Sequence, residues 1–364
     1  MIIKLDLEGD LFERIETLVK DGKYNDLYQF IKLAINNQLQ EEKSGVTDSG
    51  DFEKKSTKNP LQSITTEIQQ NLANLLSDTE LEESEIAPLS SSLIWSFYNR
   101  FFPVKVVVRQ LALMLSDDKQ WIDLWIELSL VQDQAFFSAE EFSDKLKEYE
   151  DEKDVSRNEK LSTGLPLPSS ELKGLRKSER KKRENKLIAS KIRFQEQFLG
   201  SYIKKHSTFK GACFEMGLIR VKIEHGACLV SLTDLGREFA IMENPIMDND
   251  EYNKAFSDDE VKFILEKIIP KFELEKIIVD RILNELKNNE LSSEEIDKIF
   301  EDEKLRYYSN TGEIKEDRKK KLLNSITQER VATMGRLSEM RVVNWRTDKE
   351  GKSNYSLKHN KNSF

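Results

Sequence analysis

The scarcity of Gly and Pro is the feature that most constrains how this chain folds. Its 364 residues include only 14 Gly and 7 Pro, about half of what average usage would supply. Because these two residues mark most turns and loops, the chain has few obligatory breaks. The sequence therefore predicts a mainly α-helical protein and excludes a collagenous or wholly disordered one.

Length and cysteine content limit the class of protein. A chain of 364 residues corresponds to two or three domains. Two cysteines, Cys213 and Cys228, with only three histidines cannot supply a disulfide framework or a four-ligand zinc site, so no metal or cofactor is expected. No stretch approaches 18 consecutive apolar residues, and the N-terminus lacks a signal pattern. We expect a cytoplasmic protein without a membrane partner.

Charge is distributed unevenly along the chain. The net charge is −9, and the acidic excess lies in residues 1–89. In contrast, residues 173–193 hold ten basic and two acidic side chains, and residues 315–364 hold 13 basic and six acidic ones. Local surpluses of positive charge can supply the phosphate contacts that dominate nucleic-acid affinity. Lys181, Lys182 and Arg183 are therefore candidate phosphate contacts, and a solvated helix face is the alternative.

The first 44 residues predict a strand followed by two helices. Ile3, Leu5 and Leu7 alternate with charged residues, as in a half-buried strand, and helical spacing follows on both sides of Gly22. A unit of this size cannot bury its own apolar face, so it needs a partner. The stretch MIIKLDLEGDLFERIETLVKDGKYNDLYQFIKLAINNQL resembles a ribbon-helix-helix module.

That resemblance implies a homodimer through residues 1–44. In the family, two chains pair their strands into a ribbon that enters the major groove. Lys4 would then face outward, and Asn25 at the start of the second helix would meet a phosphate. Asp6 and Glu8 depart from the basic or hydroxyl side chains usual on such ribbons, and phosphates would repel them. There are two alternatives. The module could dimerise without reading DNA, or it could be an amphipathic hairpin packed on the rest of the chain.

An acidic, polar segment follows at residues 45–91. Too few apolar side chains are present over 45–60 to offset the entropy of ordering, although 61–77 has the spacing of a short helix. The segment is predicted to be a flexible linker that lets the front module and the body orient independently.

Residues 92–364 predict a helical body of two domains, 92–250 and 251–364. In the first domain, a basic helix is predicted from 178 to 205, and a short helix follows it. Two alternating runs then predict a hairpin at 218–232, which leads into a helix capped by Thr233 or Asp234.

A similar pattern closes the chain. Thr327 is predicted to cap a helix that ends at Met340, and strands follow at 342–345 and 354–357. The inward side chains of this helix are predicted to be Val331, Met334, Leu337 and Met340. Because a helix leads into a hairpin in both domains, each resembles a winged-helix unit.

The winged-helix resemblance implies which residues meet DNA. In that family the helix before the hairpin enters the major groove, and the hairpin, called the wing, contacts the backbone or the minor groove. Carried over by position, the candidates in the last unit are Gln328, Arg330, Thr333 and Arg336 on the helix and Lys349, Lys352 and Asn354 on the wing. In the first unit they are Lys204, Lys205, Lys210, Arg220 and Lys222. The alternative for each is a solvated residue on an ordinary surface, because many winged helices bind proteins.

Together these patterns predict a dimeric DNA-binding protein, a transcriptional regulator that binds a two-fold symmetric duplex site. No phosphate-binding glycine loop, zinc-protease helix or nucleophile elbow occurs, so no catalytic residue is assigned and no enzyme is expected. A nuclease built from scattered carboxylates and a lysine is the enzymatic alternative, and a metal site at His206 and His225 also stays open. An adaptor whose winged-helix units bind protein partners in a larger assembly is the non-catalytic alternative.

Overall fold

The structure is a computed structural model that describes residues 86–87, 91–115, 120–203, 206–224, 227–310 and 322–358, apart from the side chains at 125–138 and 177. These residues are mostly helical and carry small antiparallel sheets, as predicted from the scarcity of Gly and Pro. The predicted ribbon-helix-helix module at 1–44, with Lys4 and Asn25, lies outside the described residues, as does most of the predicted linker at 45–91.

The N-terminal half of the described body contains one three-stranded sheet and a small hairpin. Its elements are α1 (Phe102–Met114), β1 (Ile122–Asp123), α2 (Leu124–Glu152), α3 (Lys177–Phe194), β2 (Ser201–Ile203), β3 (Thr208–Lys210), α4 (Ala212–Glu215), β4 (Ile219–Glu224) and β5 (Ala227–Leu232). Short 3-10 turns lie at Arg157–Glu159 and Ser169–Leu172, and α3 runs into a π-helical turn at Gln195–Leu199.

The C-terminal half repeats a three-stranded sheet. Three short helices lead into it: α5 (Asp234–Ile241), α6 (Pro245–Asn249) and α7 (Asp258–Phe263). A π turn at Ile264–Ile268 and a 3-10 turn at Ile269–Lys271 follow. The half itself contains α8 (Glu273–Leu286), β6 (Leu291–Ser292), α9 (Ser293–Asn310), α10 (Ile326–Glu339), β7 (Val343–Thr347) and β8 (Ser353–Leu357).

The two halves share one order of elements. Each has a helix, a strand, a second helix, and then a further helix directly before a hairpin. In each sheet the isolated strand pairs with the last strand of the hairpin, which gives the strand orders β1-β5-β4 and β6-β8-β7. The halves differ in that α4 has 4 residues and α10 has 14, and in that α3 lies in a long insertion between α2 and α4.

The three short helices α5, α6 and α7 begin at side-chain caps. Thr233 Oγ1 accepts a hydrogen bond from the Gly236 amide at 3.0 Å and begins α5, as predicted. Ser257 begins α7 in a reciprocal capping box with Glu260. Such caps satisfy the orphan amides of a first turn, so short helices form where the chain has few turn residues.

The buried helix α1 organises the core, which includes apolar residues from both halves. Every residue from Phe102 to Ala112 is buried, including two cations. Lys105 Nζ lies 2.8 Å from Glu260 Oε1, and Arg109 Nη1 lies 2.7 Å from Asp248 Oδ1. Both cations also donate to carbonyl oxygens at the carboxyl end of α5, where the helix dipole is negative. The hydrogen bonds from these two cations hold the carboxyl end of α5 against α1.

Several predicted boundaries differ from the structure. The predicted helix at 178–205 ends at Phe194, because a strand begins at Ser201 after the π turn. Thr327 is not the cap of α10, since the residue before the helix is Ser325. Val331 is 40% exposed, so its predicted inward position is wrong, whereas Met334, Leu337 and Met340 are buried as predicted.

Candidate nucleic-acid interface

Helix α3 presents most of its basic side chains to solvent. Lys181, Lys182, Lys186 and Arg193 are exposed. Arg183 differs, because its guanidinium is half-buried and forms an ion pair with Glu171, which also pairs with Lys147. The positive charge predicted from the sequence thus lies on the surface, with Arg183 used to attach α3 to the preceding turn.

The exposed face of α3 is also partly apolar. Ile188 is 56% exposed and Ile192 is 49% exposed. They lie one turn apart and fall on the same side as Lys181. The face therefore offers apolar contact flanked by positive charge.

The hairpin of the first half holds its predicted cations against an aromatic ring. Arg220 is only 5% exposed, and the centre of its guanidinium lies 4.5 Å from the centroid of the Trp121 ring. Lys222 Nζ lies at the same distance from that ring and 3.1 Å from Glu224. Arg220 is predicted to contact DNA from the wing, but its guanidinium is buried over the indole, where the ring stabilises the cation. Lys210 is exposed, whereas Lys204 and Lys205 lie outside the described residues.

Three of the four predicted groove residues on α10 face the core. Arg330 Nε donates to Asp297 at 2.7 Å, and its Nη1 donates to Tyr355 at 2.9 Å. Arg336 binds the buried carboxylate of Glu275 at 2.6 Å, and Thr333 donates to the same oxygen at 2.9 Å. Their predicted outward orientation is wrong, because these side chains join α10 to its neighbours.

The other face of α10, at its amino end, is open. Gln328 is exposed as predicted, and Thr327 and Val331 lie beside it on the same exposed face. Asn324, one residue before the cap Ser325, is also exposed. We define these four residues as the outward face of α10. Sequence periodicity missed three of them, because a helix with apolar residues on more than one side does not reveal which side is buried.

The second hairpin, from β7 to β8, ends in an exposed turn. Lys349 and Lys352 lie in or beside this turn, with Arg346 and Asn354 paired across the strands behind it, and all four are exposed. Asp348 accepts backbone hydrogen bonds from Glu350 and Lys352 and so shapes the turn. We call the residues from Arg346 to Asn354 the wing.

A buried carboxylate at the end of α10 joins it to α1. Glu339 accepts hydrogen bonds from the amides of Phe101 at 2.7 Å and Phe102 at 3.1 Å. Burial raises the pKa of Glu339 to about 7, although the nearby guanidinium of Arg100, the two amides and Arg336 act to lower it. No periodic pattern marks this residue, since its partners lie more than 230 positions away in the chain.

The part of the chain that the structure describes shows few features of a small-molecule, thiol or metal site. A cleft of about 170 Å³ beside Glu339 is lined by Tyr149, Arg341 and Lys358 among others, whereas most small-molecule sites measure roughly 300–1,000 Å³. Both cysteines are buried and free, and burial raises the pKa of each thiol. Within the described ranges no group of three or more His, Cys, Asp or Glu side chains could hold a metal ion. No helix there has the length and apolar character needed to cross a bilayer.

Comparison of the chain with protein-family models, with curated proteins and with solved structures finds no match. Function must therefore be argued from the order of elements and from the surfaces of this chain.

Proposed function

We propose that this protein binds duplex DNA as a homodimer and regulates transcription, with winged-helix units in residues 92–250 and 251–364. The observation that carries the proposal is the repeated order of elements, with the same sheet order in both halves. That order is typical of winged-helix units, in which the helix before the hairpin and the hairpin itself meet the nucleic acid.

The second unit is the better DNA reader of the two. Its helix before the hairpin, α10, has 14 residues, and its amino end is exposed. The corresponding helix α4 has 4 residues, of which Ala212, Cys213 and Phe214 are buried. A recognition helix must present side chains to a groove about 12 Å wide, so we assign base contacts to α10 and a supporting role to α4.

Phosphate contacts are assigned to two exposed basic surfaces. One is α3 with Lys181, Lys182, Lys186 and Arg193, and the other is the wing with Arg346, Lys349 and Lys352. Contacts to phosphate fix the position of a protein on the duplex without reading sequence. The acidic excess in residues 1–89 would limit non-specific binding.

Salt dependence tests the proposal. Binding of the full chain to a pool of random-sequence duplex DNA is measured between about 50 and 200 mM salt. The logarithm of the binding constant falls linearly with the logarithm of the salt concentration, and each phosphate that the protein neutralises makes this slope steeper by about 0.9. We expect Lys181→Ala/Lys182→Ala/Lys186→Ala to weaken binding to all sequences alike and to reduce that steepness by about 2–3.

The matched control replaces three exposed lysines elsewhere, as Lys262→Ala/Lys287→Ala/Lys298→Ala. If both triple variants lower the slope equally, α3 is not a specific contact surface. If the unmodified chain retains no duplex even at low salt, DNA binding is excluded as its function.

A protein-binding adaptor is the second candidate, and exposed aromatic residues favour it. Trp95 is 49% exposed and Phe97 is 54% exposed, and their ring centroids lie 4.6 Å apart. Paired exposed aromatics are typical anchors of protein interfaces. Because an apolar interface changes little with salt, partner binding that persists in high salt and is lost in Trp95→Ala/Phe97→Ala would favour the adaptor.

A further inference from the structure

The outward face of α10 carries amide and methyl groups but no guanidinium. Thr327, Gln328 and Val331 fall within roughly a quarter of the helix circumference, at spacings of one, three and four residues. The two arginines of α10, Arg330 and Arg336, are 8% and 2% exposed and bind Asp297 and Glu275 inside the body. Within residues 322–339 the guanidinium groups are therefore committed to the fold.

This distribution of side chains matches one type of base pair. A glutamine or asparagine amide can bond N6 and N7 of adenine together, and the methyl groups of threonine and valine can pack on the C5 methyl of thymine. Guanine is most often read by arginine or lysine, and neither type lies on the outward face of α10.

The wing is compatible with the same sequences. Lys349 and Lys352 are exposed at the tip of the β7-β8 hairpin, where Lys352 Nζ lies 3.2 Å from Glu350 Oε2. A·T tracts have a narrow minor groove whose enhanced negative potential attracts basic side chains. A wing that enters that groove beside the site of α10 would thus gain most from A·T-rich flanks.

We infer that the outward face of α10 (Asn324, Thr327, Gln328 and Val331) reads A·T base pairs in the major groove of duplex DNA, with Gln328 bonded to an adenine. The inference rests on the proposed DNA binding and names the class of sequence that the second unit selects. An RNA duplex could not be read in this way, because the deep, narrow major groove of A-form helices does not admit these side chains.

The test uses the full chain and random-sequence duplex DNA with repeated selection for binding. A·T-rich sequences should be enriched, and the best duplex is then remade with 7-deazaadenine, which lacks the N7 acceptor, at each adenine in turn. Loss of the N7 half of the contact should weaken binding at one position, by less than the roughly 5- to 150-fold that a whole bidentate pair contributes. In Gln328→Ala the same replacement should have no further effect, since the contact is already absent.

Asn284→Ala is the matched control, because Asn284 is an exposed amide on α8; it should leave selection unchanged. Gln328→Arg should shift the preferred base at that position towards guanine. Unfolding midpoints near that of the unmodified chain establish that the variants are folded, as expected for an exposed site.

The failures of the two proposals differ. If duplexes are bound with strong salt dependence but without A·T enrichment, or if Gln328→Ala selects the same sequences as the unmodified chain, the inference is overturned and DNA binding stands. If no duplex is retained at low salt, both proposals fail.

Discussion

Buried charged residues explain why sequence reasoning misplaced the candidate arginines. Basic residues are usually exposed, so a helix such as α10 is naturally assigned its arginines on the solvent side. Arg330 and Arg336 are buried because each meets a carboxylate, Asp297 and Glu275, that comes from another helix. Such pairings across the fold leave no local pattern in the sequence. Gln328, by contrast, is exposed as predicted.

Glu339 makes stability depend on pH in a definite direction. Because burial raises its pKa from 4.5 to about 7, the native state retains the proton at pH values where the unfolded chain has lost it. Its contribution is fully present below the unfolded pKa and is lost as pH rises through the native pKa. We predict that the free energy of unfolding of the unmodified chain falls, relative to Glu339→Gln, by up to roughly 3 kcal/mol between about pH 4.5 and pH 7, and that the difference is constant above that range.

Urea titrations at a series of pH values measure this difference. Glu301→Gln, an exposed substitution on α9, is the control and should follow the unmodified chain at every pH. Parallel curves for Glu339→Gln and the unmodified chain would mean that the carboxyl group of Glu339 has an ordinary pKa despite its burial.

At the scale of elements, local rules predicted much of the chain. The hairpin at 218–232 and the cap at Thr233 are confirmed, because alternation and capping depend on neighbouring residues. The strands β1 and β6 could not be predicted, because each has only two residues and exists through pairing with a distant hairpin strand. The shared sheet order of the two halves depends on those two strands, so it became visible only in the structure.

The docking of α5 on the sheet requires the absence of one side chain. A Cβ atom added at Gly236 would lie 1.9 Å from the carbonyl oxygen of Leu218, which also accepts a hydrogen bond from the Thr233 amide at 3.1 Å. Gly236→Ala must therefore displace α5 from the backbone of Leu218, the residue before β4. We predict that the free energy of unfolding falls by about 1–3 kcal/mol. The fall occurs although alanine favours the helix over glycine by about 1 kcal/mol.

Thermal or urea unfolding measures the effect of Gly236→Ala. Glu238→Ala lies on the same helix at a more exposed position and should change stability by no more than about 0.5 kcal/mol. An alanine at 236 that raises the unfolding midpoint would show that helix propensity outweighs the close approach.

At the scale of the whole molecule, polar contacts between buried helices hold distant segments of the body together. Lys105 and Arg109 join α1 to the segments around α5 to α7, and Glu339 joins α10 to the amino end of α1. Helix α10 in the second half is thus fixed to α1 in the first. This attachment holds α10 in a fixed orientation, which the proposed DNA reader would need for precise contacts.

The predicted dimer depends on residues 1–44, and their removal tests it. The apolar residues of the body form a core cluster, so we expect a chain lacking residues 1–44 to remain folded, with a strongly helical circular-dichroism spectrum and a cooperative unfolding transition. Sedimentation should give a dimer for the intact chain and a monomer for the shortened one, because the predicted strand and helices of the first segment need a partner to bury their apolar face.

DNA binding by the shortened chain separates dimerisation from recognition. Two linked readers bind a symmetric site more tightly than one by up to about 10²–10⁴, because the second contact is intramolecular. The shortened chain should therefore lose affinity for a two-fold symmetric duplex by a factor in that range while it keeps its affinity for a single half-site. A shortened chain that still sediments as a dimer would place the pairing surface in the body, where the exposed Trp95 and Phe97 would be the first residues to replace.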